Sequence, residues 1–597
     1  MYKAPVEDIA FTLKHVAGLG PALRAGVFGD LAEDLVDAIL EEAGRFSAEE
    51  IVPLAAKGDS QGARLTEKGV VLPDGWADLY RRWAEGGWNG LALDAGFGGQ
   101  GLPHMLNVAA LEMWNGGSMS FTLGPVLTMG AAEALSAHGS DALKAIYLEK
   151  MISGEWMATM NLTEPGAGSD LGGLRTRAER REDGSYRIFG QKIFITWGDH
   201  DATENIIHLV LARLPDAPAG SRGISLFLVP KFLVKEDGAP GARNDLHCHS
   251  LEHKLGIHGS PTCTMIYGDG KFGTEPGAIG YLIGEENKGL ACMFTMMNNA
   301  RLAVGMQGVA IAEAATQKAL AYAKERRQGK APGWSGEGMS PIIEHPDIAR
   351  TLLVMKALTQ GARAICYACA HAIDMSHAEA SEVAGGDARH FADRAALLTP
   401  IAKSFSTDIG VDVASMGIQV HGGMGFIEET GAARLLRDAR IAPIYEGTNG
   451  IQAIDLVTRK LPLSGGDHVR GFIGELKAIA VAVDASNRPG FGQTATRLFS
   501  AIRDLEETTE WLLARLAEGQ QAQALSGATP YQRLFGLTLS GAYLAKAALA
   551  DEAMSRREAL CRFAAENLLG ETSALKGAIL GGSESLAAAR NVLEEVG

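Results

Sequence analysis

Between about residues 156 and 283 the hydrophobic period of the chain switches from helical to strand-like, and this switch restricts the fold more than any other feature. Tyr186-Arg187-Ile188-Phe189, Lys192 to Thr196, Ile206 to Leu211 and Gly223 to Val229 are short β-rich runs, separated by turn residues such as Asp183-Gly184. On both sides the pattern is helical. Leu31, Leu35, Ile39, Ala43 and Phe46 recur at four- and three-residue steps with acids between them, which predicts an amphipathic helix buried along that stripe. Asp141 to Ile152 repeats the pattern. Further helices are predicted over Ala303 to Lys324, Pro341 to His371, Asp393 to Ser415, from Thr448 or Asn449 to about Leu461, and beyond the Ser464-Gly465-Gly466 linker, where Leu498, Ile502, Leu505 and Leu512 mark one and Tyr531 to Ala550 another. The expected fold class is mainly α with a central β-domain. An N-terminal helical domain with a lead-in segment is expected over 1–155, a compact central β-domain over 156–284, a helical bundle over 285–462 and a C-terminal helical domain over 467–597. The 597 residues far exceed what one core serves.

Charge and cysteine usage exclude several functions. A formal net charge of -16 disfavours tracking along nucleic-acid phosphates or docking through a polybasic anchor. No signal peptide and no apolar run long enough to span a bilayer is visible, so the cytoplasm is the expected compartment. Six cysteines in so long a chain do not make a disulfide framework. Cys366 and Cys369 form C-x-x-C inside an alanine-rich helical stretch and read as core. His247, His249 and His253 lack standard zinc spacing and read as loop and strand surface, with His247 and His249 to one side of a strand, so no metal is expected.

Three segments carry chemistry. In Arg440 to Gln452 a carboxylate, Glu446, sits between Ile444-Tyr445 and Gly447, directly before a helix start that Thr448 or Asn449 can cap. Partial desolvation there would raise its pKa toward that of a general base, and the helix start favours phosphate. Asn161 to Asp170, Asn-Leu-Thr-Glu-Pro-Gly-Ala-Gly-Ser-Asp, supplies glycines for close backbone approach and the hydroxyls of Thr163 and Ser169. His421-Gly422-Gly423-Met424-Gly425, preceded by Gln419, is a second such cluster. Arg301 and Arg326-Arg327 offer forks for phosphate or carboxylate. Gly96 to Gly101 formally matches G-x-G-x-x-G, but no strand precedes it and Pro103 follows, so it reads as a tight loop.

As a set, Thr163 to Asp170, the Lys192-to-Thr196 run, Glu325-Arg326-Arg327-Gln328, Gln419 to Gly423 and Tyr445-Glu446-Gly447-Thr448 resemble the acyl-CoA dehydrogenase family over about residues 40 to 460. The lead-in and added C-terminal helices resemble its 3-methylmercaptopropionyl-CoA dehydrogenase type. The resemblance implies FAD bound at a subunit interface, an acyl-CoA substrate and trans-2-enoyl-CoA as product. It implies Glu446 as catalytic base and hydride transfer to flavin N5. It also implies an electron-transfer flavoprotein as acceptor and a homo-oligomer, with a dimer favoured. By the same resemblance Met160, Leu162, Thr163, Gly168, Ser169, Phe194, Ile195, Thr196, Thr448 and Gly450 meet FAD. Arg326, Gln328, Gln419, Gly422 and Gly423 reach the FAD of a neighbouring copy, and Ser169, Asn298, Arg301 and Glu446 meet the acyl-CoA. Asn298 stands where many relatives carry an acid, Gly329 follows Gln328 without the usual phenylalanine, Pro346 follows His345 where a glutamine is frequent, and Lys330 to Met339 looks inserted. An oxidase giving electrons to oxygen and a nucleic-acid-binding flavoprotein are the alternatives, and Glu428 or Glu429 the runner-up base.

Overall fold

A computed structural model describes residues 2–273, 275–378, 387–551, 553 and 556–593. The chain clusters into two compact units. One comprises Met1–Gly44, Val108–Gly116 and Arg301–Gly597, and the other Arg45–Asn107 and Gly117–Ala300.

The second unit holds an eight-stranded sheet in the order Leu246–Leu251, Thr262–Tyr267, Tyr186–Thr196, Ala278–Ile283, Ile224–Pro230, Ile206–Arg213, Met157–Asn161. The eighth strand, Arg177–Arg180, pairs with both Tyr186–Thr196 and Ile206–Arg213, so five strands close on themselves like a small barrel. Alternation along the strands feeds two cores. Ile207, Leu209 and Leu211 join Leu226 and Leu228 against Leu148, Met151 and Ile152 of helix Asp141–Ser153. Val210 and Ala212 join Phe227 and Val229 against Ile188, Met265 and Tyr267. Burial on both faces explains why Ile206–Arg213 and Ile224–Pro230 read as nearly continuous apolar runs.

The two runs expected at Tyr186 to Phe189 and Lys192 to Thr196 are one strand of 11 residues. Gly190, at φ 150°, joins them where a Cβ would lie 2.5 Å from the Thr176 hydroxyl. Only glycine lets the strand pass there, so the break between the two runs is a close approach of two chain segments. His247 is also corrected. It is buried while His249 is exposed, because a bulge between Cys248 and Ser250 breaks the alternation that would place both on one side.

The first unit is helical. Its long members include Pro346–His377, Ala388–His421 and Ala528–Ala550, with the continuation of Gly289–Glu325 beyond Arg301. Gly308 lets Gly289–Glu325 approach Ala388–His421 closely, since a Cβ would lie 2.1 Å from the Ser406 carbonyl. Cys366 and Cys369 are fully buried, each beside a hydroxyl, Ser406 and Thr399 respectively, and burial pushes both thiols up. The helix expected from Pro341 begins at Pro346, because proline lacks an N–H and fits the first helical position. In helix Glu33–Phe46 the buried stripe is Val36, Leu40 and Ala43. Leu35 is 49% exposed, so the face reckoned from Leu31 and Leu35 is one position off. Leu498, Ile502, Leu505 and Leu512 are fully buried, as their spacing predicts. Among the described residues no helix is long and apolar enough to cross a membrane, and no group of His, Cys, Asp or Glu could hold a metal ion.

Candidate active site

The residues singled out from the sequence divide between the two units. In the second unit the Asn161–Asp170 loop leaves strand Met157–Asn161 and is pinned to strand Tyr186–Thr196. Ile193 N–H donates to the Thr163 carbonyl at 2.9 Å. The Lys192 ammonium donates to the Leu162 carbonyl at 2.9 Å and to Glu164 Oε1 at 2.8 Å. Glu164 also accepts from the backbone N–H of Arg175 and Thr176, at 2.6 and 3.0 Å. Burial pulls the Lys192 ammonium down to about 8 against the attraction of Glu164. Burial pushes the Glu164 carboxyl up, but Lys192 and the hydrogen bonds outweigh it and leave the group below its ordinary value. The loop is therefore clamped at its base by a buried, hydrogen-bonded ion pair.

Its tip is free. Gly168 and Ser169 are exposed, and a Cβ on Gly166 would meet nothing. Phe194 is 58% exposed and held at φ 60°, a conformation that costs a non-glycine residue energy. Thr196 is half-buried, and its carbonyl accepts from the Thr159 hydroxyl at 2.6 Å. Met160 is buried and Leu162 half-buried. Ile195 turns its side chain into the core, so only its backbone is available to a ligand. The structure thus brings residues 160–169 and 194–196 together. Asn298 lies on helix Gly289–Glu325, and its side chain is outside the described residues.

Replacing Glu164 with glutamine keeps one of its two acceptor oxygens, turns the other into an amide NH2 facing an N–H donor, and removes the charge that balances Lys192. The expected loss is about 1–3 kcal/mol in urea unfolding, with the loop at Thr163–Asp170 more readily cleaved by protease. Unchanged unfolding and cleavage would show that the clamp is dispensable.

In the first unit Glu446 sits on a tight turn. It adopts φ 55° and Gly447 φ 82°. Two successive left-handed residues swing the carboxylate out of line with the following helix, Asn449–Asp455, whose N-cap is Thr448, with Oγ1 accepting from Ile451 N–H at 3.2 Å. The Glu446 carbonyl accepts from the Gln452 amide at 3.2 Å, and the Tyr445 hydroxyl donates to Gln307. Burial raises the Glu446 carboxyl above its ordinary value, while Arg301 and Lys403 pull the other way. Arg301 is half-buried on helix Gly289–Glu325. Gly450 is exposed in the first turn after Thr448.

Arg326 and Gln328 lie just past the end of helix Gly289–Glu325, where the Arg326 guanidinium donates to Gln328 Oε1 at 3.2 Å. The segment between Gln328 and Ser340 closes on itself, with Gln328 N–H donating to the Ser340 carbonyl and Ser340 N–H to that of Gly329. Gln419, Gly422 and Gly423 are exposed at the end of helix Ala388–His421, and a Cβ on either glycine would meet nothing. Glu428 and Glu429 are exposed, and Glu428 pairs with Arg437 at 2.7 Å. These two acids are solvated charges, unlike Glu446.

Sequence reasoning missed Lys403. It is fully buried on helix Ala388–His421, and its ammonium donates to the Gly447 carbonyl at 2.9 Å and to Asn449 Oδ1 at 2.8 Å. A signal was present, since Lys403 falls between Ile401-Ala402 and Phe405 in a stretch otherwise spaced for burial.

Four family models match in sequence order: the N-terminal domain of acyl-CoA dehydrogenases over residues 34–155, their middle domain over 159–269, their C-terminal domain over 287–461, and an acetyl-CoA dehydrogenase C-terminal-like domain over 472–590. The chain is 47% identical over 552 residues to the 3-methylmercaptopropionyl-CoA dehydrogenase of Ruegeria pomeroyi, covering 92% of each. It is 34% identical over 541 residues to a broad-specificity linear acyl-CoA dehydrogenase of Mycobacterium tuberculosis, covering 87% of this chain and 85% of that one. Its fold is similar to that of the Bacillus anthracis acyl-CoA dehydrogenase complexed with FAD, with a TM-score of 0.70 at 20% identity, over 100% of this chain and 94% of the other.

Proposed function

The chain belongs to the acyl-CoA dehydrogenase family and is an oxidoreductase of that class, and from this premise we propose that Glu446 is its catalytic base, acting on an acyl-CoA thioester beside bound FAD. The observation that carries the reading is the Glu446 turn. Its carboxylate is raised by burial yet flanked by two cations, Arg301 and Lys403. A carboxylate in that environment is basic enough to take a weakly acidic proton and still ionised enough to be ready for it.

The residues present fit a flavin. Gly166 and the pair Gly422-Gly423 leave open the space that a Cβ would fill, and Phe194 presents an exposed ring. Thr163, Ser169 and Thr196, with the backbone of Ile195, would hold the cofactor. Arg326, Gln328, Gln419, Gly422 and Gly423 would complete the site of a second copy in a homodimer. FAD, when bound, supplies the acceptor for the hydride that leaves the beta carbon. Glu446 takes the alpha proton. Its own backbone N–H donates to the thioester carbonyl, where negative charge develops. Arg301 would orient the CoA ester.

The 47% likeness over nearly the whole length supports 3-methylmercaptopropionyl-CoA as a substrate; a linear acyl-CoA of medium or long chain is the alternative, and the 34% likeness to a broad-specificity linear acyl-CoA dehydrogenase favours testing it. An electron-transfer flavoprotein is the acceptor this reading favours. The purified protein is expected to be yellow, with about one FAD per chain, and dimeric by light scattering. Mixed anaerobically with acyl-CoAs from short to long and with 3-methylmercaptopropionyl-CoA, its flavin should bleach fastest with the true substrate, and an artificial acceptor should sustain turnover. A folded, colourless protein that cannot be reconstituted would overturn the reading. Peroxide formed in air at the rate of substrate turnover would make the enzyme an oxidase instead.

A further inference from the structure

Lys403 is the least expected charge in the first unit. A lysine with no exposed surface at mid-helix has to be held by something, because an ammonium taken from water without partners is costly. Its partners all lie on the segment that follows Glu446. One N–H goes to the Gly447 carbonyl and one to Asn449 Oδ1. Asn449 is fixed in turn. Its amide donates to Asp408 Oδ1 at 2.7 Å, to Thr407 Oγ1 at 3.0 Å and to the Ser404 carbonyl at 3.2 Å, all on the helix that carries Lys403.

We propose that Lys403 is the positioning residue of the Glu446 carboxylate: by holding the Gly447 carbonyl and Asn449 Oδ1 it locks the left-handed turn that carries the base. This rests on the reading of Glu446 as base and adds what that reading lacks, a cause for the turn's shape. A glutamate at φ 55° relaxes unless its surroundings over-determine it. The Lys403 bond to Gly447 on one side and the Gln452 bond to the Glu446 carbonyl on the other do so. The charged groups acting on Lys403 are Glu446, Asp408 and Arg301; those acting on Glu446 are Arg301 and Lys403. Burial pulls the Lys403 ammonium down to about 7 against the attraction of Glu446 and Asp408.

The test reads the Glu446 carboxyl directly. Infrared titration of the FAD-loaded enzyme gives the carboxyl band, and subtracting the matching protein that also carries Glu446→Gln isolates Glu446. In Lys403→Met the Glu446 midpoint should move up by about one pH unit or more, since an opposite charge has been lost. The acid limb of single-turnover flavin bleaching should move with it. kcat should fall about 10- to 100-fold with KM within about threefold. Lys403→Gln keeps an amide NH2 donor but no charge. It should recover part of kcat while the midpoint stays high, and it carries the test where Lys403→Met does not fold. An unmoved midpoint overturns the assignment whatever the rate does. If Glu446→Gln alone bleaches at the wild-type rate, the reading of Glu446 falls and this assignment falls with it. If Glu446→Gln is slow and the midpoint in Lys403→Met is unmoved, only the role of Lys403 falls.

Discussion

Glu446→Gln is expected to slow flavin bleaching in a single turnover by about 10² to 10⁴, at or beyond the upper end because an unactivated C–H is the proton source. The amide is nearly isosteric, and the contacts that hold the turn use other atoms. The Glu446 backbone carbonyl accepts from Gln452, the Gly447 carbonyl from Lys403, and Thr448 caps the helix. Folding, FAD content and acyl-CoA binding should therefore survive. In the wild type the pH dependence follows from the sign of the shift. The carboxyl is raised, so the rate should climb with pH through a midpoint above that of an ordinary glutamate, as the carboxylate forms. Glu446→Gln should lose this limb along with the rate. Bleaching at the wild-type rate would place the base elsewhere. Glu428 and Glu429 are poor substitutes, because both are exposed and Glu428 is held by Arg437.

The largest effect on stability is expected from Arg363→Met. Arg363 has no exposed surface, and its guanidinium donates to Glu112 Oε1 at 2.6 and 2.8 Å and to Glu313 Oε2 at 2.9 Å. The Tyr367 hydroxyl also donates to Glu112. Methionine fills much of the volume but strands two carboxylates in an apolar interior. Breaking such a network from one side typically costs about 3–5 kcal/mol, because the loss is an uncompensated buried charge rather than an attraction alone. Equilibrium urea unfolding at neutral pH should show it, and replacing Glu112 and Glu313 by glutamine in the same protein should recover part of the loss. No change would mean that water reaches the site. Burial pushes the Glu313 carboxyl up, but Arg363, Lys356 and Gln317 outweigh it and leave it below its ordinary value. A lowered carboxyl stabilises the fold above its unfolded pKa, so the wild type should lose this contribution as pH falls through the folded value. Arg363→Met removes the main cause of the lowering and should flatten that dependence.

The amphipathic spacing of Leu498 to Leu512, the apolar runs of the sheet and the proline and glycine punctuation rest on local rules, and a sequence displays them. The mainly helical class with a central β-domain was legible for that reason. So was the Glu446 segment, in which an apolar run, a glycine and a capping threonine follow one another along the chain. Local rules failed where a distant group decided the outcome. The two runs flanking Gly190 are one strand because Gly190 lies against Thr176, and the His247 alternation broke at a bulge set by pairing with strand Thr262–Tyr267.

The chain's order of residues determined where helix gives way to strand and back, which carboxylate sits in an apolar run before a helix cap, and which glycines can lie against a ligand. Only the tertiary structure decided what surrounds that carboxylate. Lys403 lies 44 residues from the carbonyl it holds, and Lys192 lies 28 from Glu164. The physical reason is that charge and desolvation act through space over a few ångströms, whereas periodicity records only the chain's own repeat, so a buried ion pair is visible only after packing has brought its members together.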